Sequence, residues 1–354
     1  QYYLHNFLPE QPDLNLWNHE VRDAILATLR FWLDRGVDGV RLDAISHFLH
    51  DPELRNNPAR NLADPRKPAD LQYQTFTVGL PETADIMREI RAVLDSYGNR
   101  FAVGEIGGDD PLAQARLYAD PEDTLQTAYS FSFLYKAPLT PALVRDSILD
   151  GLERHPSGWP TQVFSNHDAA RARTRWGGAE APPEFAQMLN LLLLCLRGSV
   201  CLYQGEELGL NQAEIPFDRL VDPEARKNWP RTLGRDGART PMPWRADARS
   251  AGFSDGDPWL PIDPRHIALA VDRQASDPCS TLSLTRKVLL ARRSMLALRV
   301  GEIGFDICND QILGYTRSYE GETLFCVFNF SSRAVEFTLD GAGLWTCVEG
   351  MPAR

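Results

Sequence analysis

A chain of 354 residues, 43% hydrophobic and 10% aromatic, has apolar material for one large core and a smaller one. Its formal net charge of −11 leaves no basic excess, which argues against a nucleic-acid partner or an anionic membrane surface. No apolar run spans a bilayer, since the richest, Leu191–Leu196, ends at Arg197 and Gly198, and a small neutral ligand is the better fit.

The first predicted element is a helix opened by Asn18, a capping residue, with Val21, Ile25, Leu29, Trp32 and Leu33 on its inward face and Gly36 at a left-handed C-terminal position. "VDGVRLD" (37–43) follows as a short apolar strand, buried on both faces and ending in charge. The order then recurs. A helix over 83–97, built on Ile86, Ile90, Val93 and Leu94, precedes the strands "FAVGEI" (101–106) and "TAYSFSF" (127–133). A helix over 141–152, with Thr140 as cap and Pro141 first, leads to the strand "TQVFSNHD" (161–168). A helix over 184–196, the strand "SVCLYQGEE" (199–207) and a helix over 282–298 complete the series. After residue 300 the pattern changes to "ILGYTR", "TLFCVFNF" and "AVEFTL", short β-rich runs without helices between them. The chain therefore divides into 1–300, an α/β domain, and 301–354, a small antiparallel β domain resembling part of a sandwich. "NFS" at 329–331 matches a glycosylation sequon but falls on a predicted strand, and is treated as chance.

Alternating strands and helices give a parallel sheet, either doubly wound or closed as a (β/α)8 barrel. Charge placement favours the barrel: Asp43, Glu105, Asp168 and Glu206 each fall at the carboxyl end of a different strand, where barrel active sites collect. The connections 51–82 and 211–260 are too long for simple turns and are expected to build a pocket. An isolated acid between strand and helix is commonly a cap, and a single Arg41/Asp43 pair is commonly structural. The steps from 43 to 105 and from 105 to 168 change that reading, because each corresponds to about two strand–helix units and would aim three acids into one cavity. Like charges in one cavity push one acid's pKa up, as an acid catalyst at neutral pH requires. Two opposed carboxyls without a metal motif are the requirement of glycoside hydrolysis. Arg41 would keep Asp43 ionised, and His167 is suited to a sugar hydroxyl.

The stretches "QPDLN" (11–15), "GVRLD" (39–43), "GEI" (104–106), "FSNHD" (164–168), "YQGEE" (203–207) and "RTPMPW" (239–244) together resemble the α-amylase superfamily of glycoside hydrolases, family 13. The likeness is to its exo-acting bacterial α-glucosidases and oligo-1,6-glucosidases. It implies that residues 1–300 are the C-terminal part of a (β/α)8 TIM barrel and 301–354 a truncated β domain. The resemblance further implies that Asp43 is the nucleophile, Glu105 the general acid/base and Asp168 the stabiliser of the transition state. Arg41, His167 and Arg235 would line the same sugar subsite. Retention of configuration is implied, with the Asp43 and Glu105 carboxyls about 5 to 5.5 Å apart. The family has three barrel strands ahead of "QYYLHNF", so this chain is expected to be a fragment. No cofactor is implied for the chemistry, and no metal among these site residues. A structural calcium or magnesium would belong to the N-terminal region absent here.

The expected activity is release of terminal α-1,4-linked glucose from maltose-like oligosaccharides or glucosides through a covalent glucosyl-enzyme. Transglucosylation, sucrose cleavage and trehalose-forming isomerisation share the same trio, and a catalytically silent binding subunit is the non-enzyme alternative. Six cysteines without ligand spacing read as reduced core thiols and point to the cytoplasm, with secretion left open by the missing N-terminus. The expected partner is a small sugar substrate, with no nucleic acid and no membrane; the sequence leaves the oligomeric state open. In similar enzymes the residue after the nucleophile tends to be valine for α-1,6 cleavage and smaller or hydroxylated for α-1,4. Here it is Ala44, so Ala44→Val should shift the ratio of maltose to isomaltose hydrolysis toward isomaltose; an unchanged ratio defeats the assignment.

Overall fold

The structure, a computed structural model, describes residues 2–65, 68–130, 132–338 and 345–348. The chain forms two compact units, Gln1–Ser132 with Leu149–Thr161, and Phe133–Ile148 with Gln162–Arg354. Five strands, β1 (Gly39–Leu42), β2 (Phe101–Ile106), β3 (Thr127–Ser130), β4 (Thr161–Gln162) and β5 (Ser199–Val200), follow the order β1-β2-β3-β4-β5. The pairs β1/β2, β2/β3 and β3/β4 are parallel. Helices α1 (His19–Leu33), α2 (Thr83–Ser96), α3 (Pro111–Tyr118), α4 (Pro141–Arg154), α5 (Ala172–Gly177) and α6 (Pro183–Cys195) alternate with them. Each strand lies beside its sequence neighbour, as in a (β/α)8 barrel, whereas a doubly wound sheet reverses its order at a switch point. Five strands make that barrel incomplete. Five shorter or later helices follow: α7 (Pro223–Asn228), α8 (Pro264–Ile267), α9 (Val271–Ala275), α10 (Thr281–Ser294) and α11 (Leu296–Val300).

In the first unit, Asn18 caps α1 by accepting the Glu20 N–H at 2.9 Å, and Gly36 takes φ +90° just beyond the helix. Leu29 and Leu33 are buried in one core with Ile86, Met87, Ile90, Val93 and Leu94 of α2. Trp32, expected inward, is half exposed and meets Phe31 edge-on. Residues 32 and 33 lie about 100° apart around a helix, so a narrow buried stripe holds only one of them. The strand "VDGVRLD" is shorter than expected and half-buried rather than sealed on both faces. "TAYSFSF" is strand over Thr127–Ser130, and its Phe131 lies outside the described residues.

Two glycines let β1 and the turn after it close onto β2. A Cβ at Gly39 would strike the Phe101 carbonyl, and one at Gly104 would stand 2.6 Å from Ile45 Cδ1 and 3.0 Å from Leu125 Cδ1. Ile45 and Leu125 are fully buried, so neither can swing into solvent.

In the second unit, Thr140 caps α4 through the Leu143 N–H at 3.0 Å. The expected helix over 282–298 is two helices, α10 and α11, broken at Met295, whose ψ of 112° is extended. The break has a tertiary cause: Glu322 Oε2 accepts the Ala297 N–H at 2.7 Å, capping α11 from a neighbouring strand. Three antiparallel strands, β6 (Glu302–Cys308), β7 (Ile312–Tyr319) and β8 (Glu322–Asn329), form a separate sheet in the order β6-β7-β8. β6 was not anticipated, although Ile303, Phe305 and Ile307 alternate with Glu302, Gly304 and Asp306 as a half-buried strand should. "AVEFTL" is irregular over 334–338, and its Leu339 lies outside the described residues. Arg317 of β7 is fully buried and donates to the carbonyls of Cys195 at 2.7 Å and Gly301 at 2.8 Å.

The reading of core thiols holds for Cys195 alone. Cys308 and Cys326 are half-buried, while Cys201, Cys279 and Cys347 are exposed, because apolar neighbours in sequence need not share a face in the fold. No helix of the described residues is long and apolar enough to cross a membrane. Gly104→Ala is expected to destabilise the protein by about 1 to 3 kcal/mol through overpacking, measured by chemical denaturation; unchanged stability would contradict the close packing of Ile45 and Leu125.

Candidate active site

The expected site residues divide between the two units: Arg41, Asp43, Ala44 and Glu105 belong to the first, and His167, Asp168 and Arg235 to the second. In the first, strand register makes the arrangement. Leu42 lies opposite Gly104, so the next step of the chain brings Asp43 beside Glu105, and Glu105 in turn lies opposite Tyr129 of β3. Arg41, two residues before Asp43, points the same way. Its guanidinium serves three partners: Nη1 donates to Asp43 at 2.6 Å, Nη2 to Glu105, and Nε to the Tyr129 hydroxyl. The Cζ atom stands 5.6 Å from the centre of the Tyr129 ring.

After Asp43 the backbone turns sharply. Ala44 adopts φ 46° and ψ 43°, a left-handed conformation uncommon outside glycine, and a 3₁₀ turn over Ile45–His47 follows. The turn directs the Ala44 N–H to Glu105 Oε2 at 3.3 Å. The fully buried Ile45, seated against Gly104, anchors it.

The two carboxyls occupy opposite environments. Glu105 is 5% exposed, whereas the Asp43 side chain is 73% exposed. Burial pushes the Glu105 carboxyl up to about 7, and the hydrogen bond it shares with Asp43 acts in the same direction, against the Arg41 charge and the Ala44 N–H. For Arg41, burial works against the charge, but the hydrogen bonds to Tyr129 and Asp43 and the field of Glu105 prevail and raise its pKa. The group is a permanent cation.

In the second unit, Asn166 Oδ1 accepts the N–H groups of Asp168 and Ala169 at 2.9 and 2.8 Å, which fixes the turn carrying His167 and Asp168. Asp168 Oδ1 accepts from Arg239 at 2.7 Å and Arg235 at 3.3 Å, and His167 Nε2 stands 3.4 Å from Oδ2. Arg239 also donates to the His167 carbonyl at 2.7 Å. Arg235 is itself clamped by Asp222, Nε to Oδ2 at 3.0 Å and Nη2 to Oδ1 at 3.0 Å. Burial of Asp222 opposes its charge, yet these bonds lower its pKa, while the Asp222 bonds raise that of Arg235. Asp236 holds Asp222 in place by accepting the Val221 and Asp222 N–H groups at 2.7 and 2.9 Å.

Glu206, the fourth strand-end acid, has a different surrounding. It is buried and accepts the Tyr203 N–H at 2.8 Å; burial pushes its carboxyl up to about 7, against that bond, the Ser165 hydroxyl and the charges of Arg171 and Arg175. Among the described residues, no group of three or more His, Cys, Asp and Glu side chains is arranged to hold a metal ion.

The sequence reading missed Tyr129, Asp222, Asp236 and Arg239. Arg239 opens the quoted stretch "RTPMPW" and was legible there. Asp222 precedes Pro223 and reads as an ordinary helix cap, which it also is, accepting the Glu224 N–H at 3.1 Å. Tyr129 carried no signal beyond a strand position.

The model of the alpha amylase catalytic domain matches residues 1–301, 85% of the chain by that range, and the model of the maltogenic amylase C-terminal domain matches 306–351. The chain belongs to the alpha amylase catalytic-domain family. Among family relatives, a probable alpha-glucosidase of Rhizobium meliloti is 44% identical over 94% of this chain and 62% of its own length. An oligo-1,6-glucosidase of Parageobacillus thermoglucosidasius is 30% identical over 96% of this chain and 65% of its own. A solved structure of an alpha-glucosyl transfer enzyme superposes with a TM-score of 0.93 at 44% identity, covering 99% of this chain and 66% of that one. The chain thus spans less than two thirds of the length of the two curated relatives.

Glu105 generates a prediction for stability. Its folded pKa of about 7 lies above the usual 4.5, so between those values the folded state holds a proton that the unfolded state has lost. Stability from this group is complete below pH 4.5 and falls as pH rises toward 7, by about 3 kcal/mol at most. Glu105→Gln is therefore expected to raise the unfolding midpoint more at pH 8 than at pH 5. An equal change at both pH values would rule the raised pKa out.

Proposed function

We propose that the chain carries the catalytic carboxyls of a retaining α-glucosidase acting on small α-linked oligosaccharides or glucosides. The observation that supports this reading is one guanidinium bridging a buried carboxyl that titrates near neutrality and an exposed one beside it. The exposed Asp43 is placed to attack the anomeric carbon. As the C1–O bond breaks and the Asp43–C1 bond forms, protonated Glu105 gives its proton to the departing oxygen. Glu105, now ionised, then takes a proton from water as that water displaces Asp43. Retention is the proposed outcome because one guanidinium bonds both acids, whereas an inverting pair stands about 6.5 to 9.5 Å apart around a water.

Arg41 has a second task in this scheme. When Glu105 loses its proton during the first step, the guanidinium already beside it balances the new charge without moving. Asp168, with Arg235, Arg239 and His167 around it, offers fixed acceptors and donors suited to sugar hydroxyls, and we propose that role for it on its own chemistry. Ala44, next to the nucleophile, is proposed to set linkage preference toward α-1,4. No cofactor enters this scheme, and thiols without a disulfide at Cys195, Cys279, Cys308, Cys326 and Cys347 support a cytoplasmic setting.

Transfer of the glucosyl group to a sugar acceptor is the second reading. It is favoured by the 44% identity to an alpha-glucosyl transfer enzyme, and it uses the same first step. For the full-length protein on maltose, Asp43→Asn is expected to lower kcat by on the order of 10³-fold or more, with the α-anomer as first product of the wild type. A β-anomer product, or an Asp43→Asn variant of near-normal rate, would overturn the assignment. Added alcohol acceptors separate hydrolysis from transfer by the glucosides they trap.

A further inference from the structure

The Arg41 guanidinium has two good ways to bond. It can lie against one carboxylate with two parallel N–H···O bonds, the stronger arrangement for an isolated pair, or spread its N–H groups over several acceptors. Here it spreads, one Nη to each carboxyl. Nothing in the two acids themselves favours that choice. Glu105 is buried, and a charge pair there is screened far less than one at exposed Asp43, so Arg41 would by itself be drawn onto Glu105.

The third partner decides the matter. Tyr129 sits on β3 directly opposite Glu105 in the parallel register, is itself buried, and is held from the other side by its pairing with Thr161 of β4. Its hydroxyl oxygen accepts the Nε–H of Arg41. With Nε committed, the Nε/Nη2 edge that already gives one N–H to Glu105 cannot give it a second, and Nη1 stays on Asp43. We infer that Tyr129 is a positioning residue, whose hydroxyl holds Arg41 astride Asp43 and Glu105 so that neither acid captures the whole guanidinium. This inference deepens the glucosidase reading and, for its effect on rate, rests on it.

The consequence lies in the proton affinity of Glu105. Among the described residues of its unit, the strongest influences on it besides burial are Asp43, Arg41 and the Ala44 N–H, with Tyr129 beside them. Asp43 and burial hold the proton on Glu105, and Arg41 opposes them. Without the Tyr129 hydroxyl, the guanidinium is free to bond Glu105 through two N–H groups, which favours the carboxylate and releases the proton at lower pH. A general acid that is ionised at working pH has nothing to donate.

The test uses Tyr129→Phe, which removes the hydroxyl and keeps the ring. Carbon-13 titration of the Glu105 carboxyl, assigned by difference from Glu105→Gln, is expected to move downward by about half a pH unit or more in Tyr129→Phe. On maltose, the alkaline limb of the full-length variant should shift down by the same amount, with kcat lowered about 10-fold at neutral pH and KM little changed. A Glu105 titration that stays in place or moves up, in a variant of normal unfolding midpoint, overturns the inference, because a tyrosine that merely fills space would leave it there. The titration is independent of turnover. An Asp43→Asn control that remains active would remove the glucosidase reading while leaving the positioning of Arg41 to be judged by the titration alone.

Discussion

Charge sharing at Arg41 is the constraint on which the first unit's site depends. Two carboxyls side by side repel, and left alone they would swing apart or share a single proton between them. A guanidinium bonded to both carboxyls changes this, because each acid gains a charged partner and neither moves without breaking a bond. The rest of the local structure serves that arrangement. Gly39 and Gly104 allow the strands and the turn to close up, Ile45 pins the turn from below, and the left-handed Ala44 sends its N–H to Glu105. A backbone strain of this kind persists where its surroundings over-determine it, as the buried Ile45 does here.

Difference in burial then gives two identical functional groups different environments. Glu105 is enclosed and keeps its proton to about neutral pH, while Asp43 faces solvent. Arg41 is close enough to both to oppose the first effect without cancelling it. The second unit solves a similar problem with another set of parts. Asp168 takes two arginines, Arg235 is fixed by Asp222, and Asp222 by Asp236, so the orientation of one half-buried carboxyl is transmitted from a buried one. Glu206 shows that a strand-end acid need not join such a set: enclosed and bonded to Tyr203, it belongs to the packing around it.

Periodicity and capping residues were good guides where both ends of a helix are set by nearby residues. Asn18, Gly36 and Thr140 do what their residue types favour, and α1, α2, α4 and α6 lie close to where spacing put them. The same reasoning overran at Met295, because the cap that starts α11 comes from Glu322, distant in the chain. It misplaced Trp32 and most of the cysteines, because apolar character says that a side chain can be buried and not that it is.

By itself the sequence determined the alternation of strand and helix, the acids at the strand ends and the motifs that place the chain in its family, since local propensity and short-range spacing are written in neighbouring residues. Only the tertiary structure decided that Arg41 bonds both acids, that Glu105 rather than Asp43 is the enclosed one, and that Tyr129 takes part. Those outcomes depend on which strands lie side by side and in what register. Register is settled by packing across the sheet between residues tens of positions apart, and the pattern of one strand alone does not name the residue opposite it.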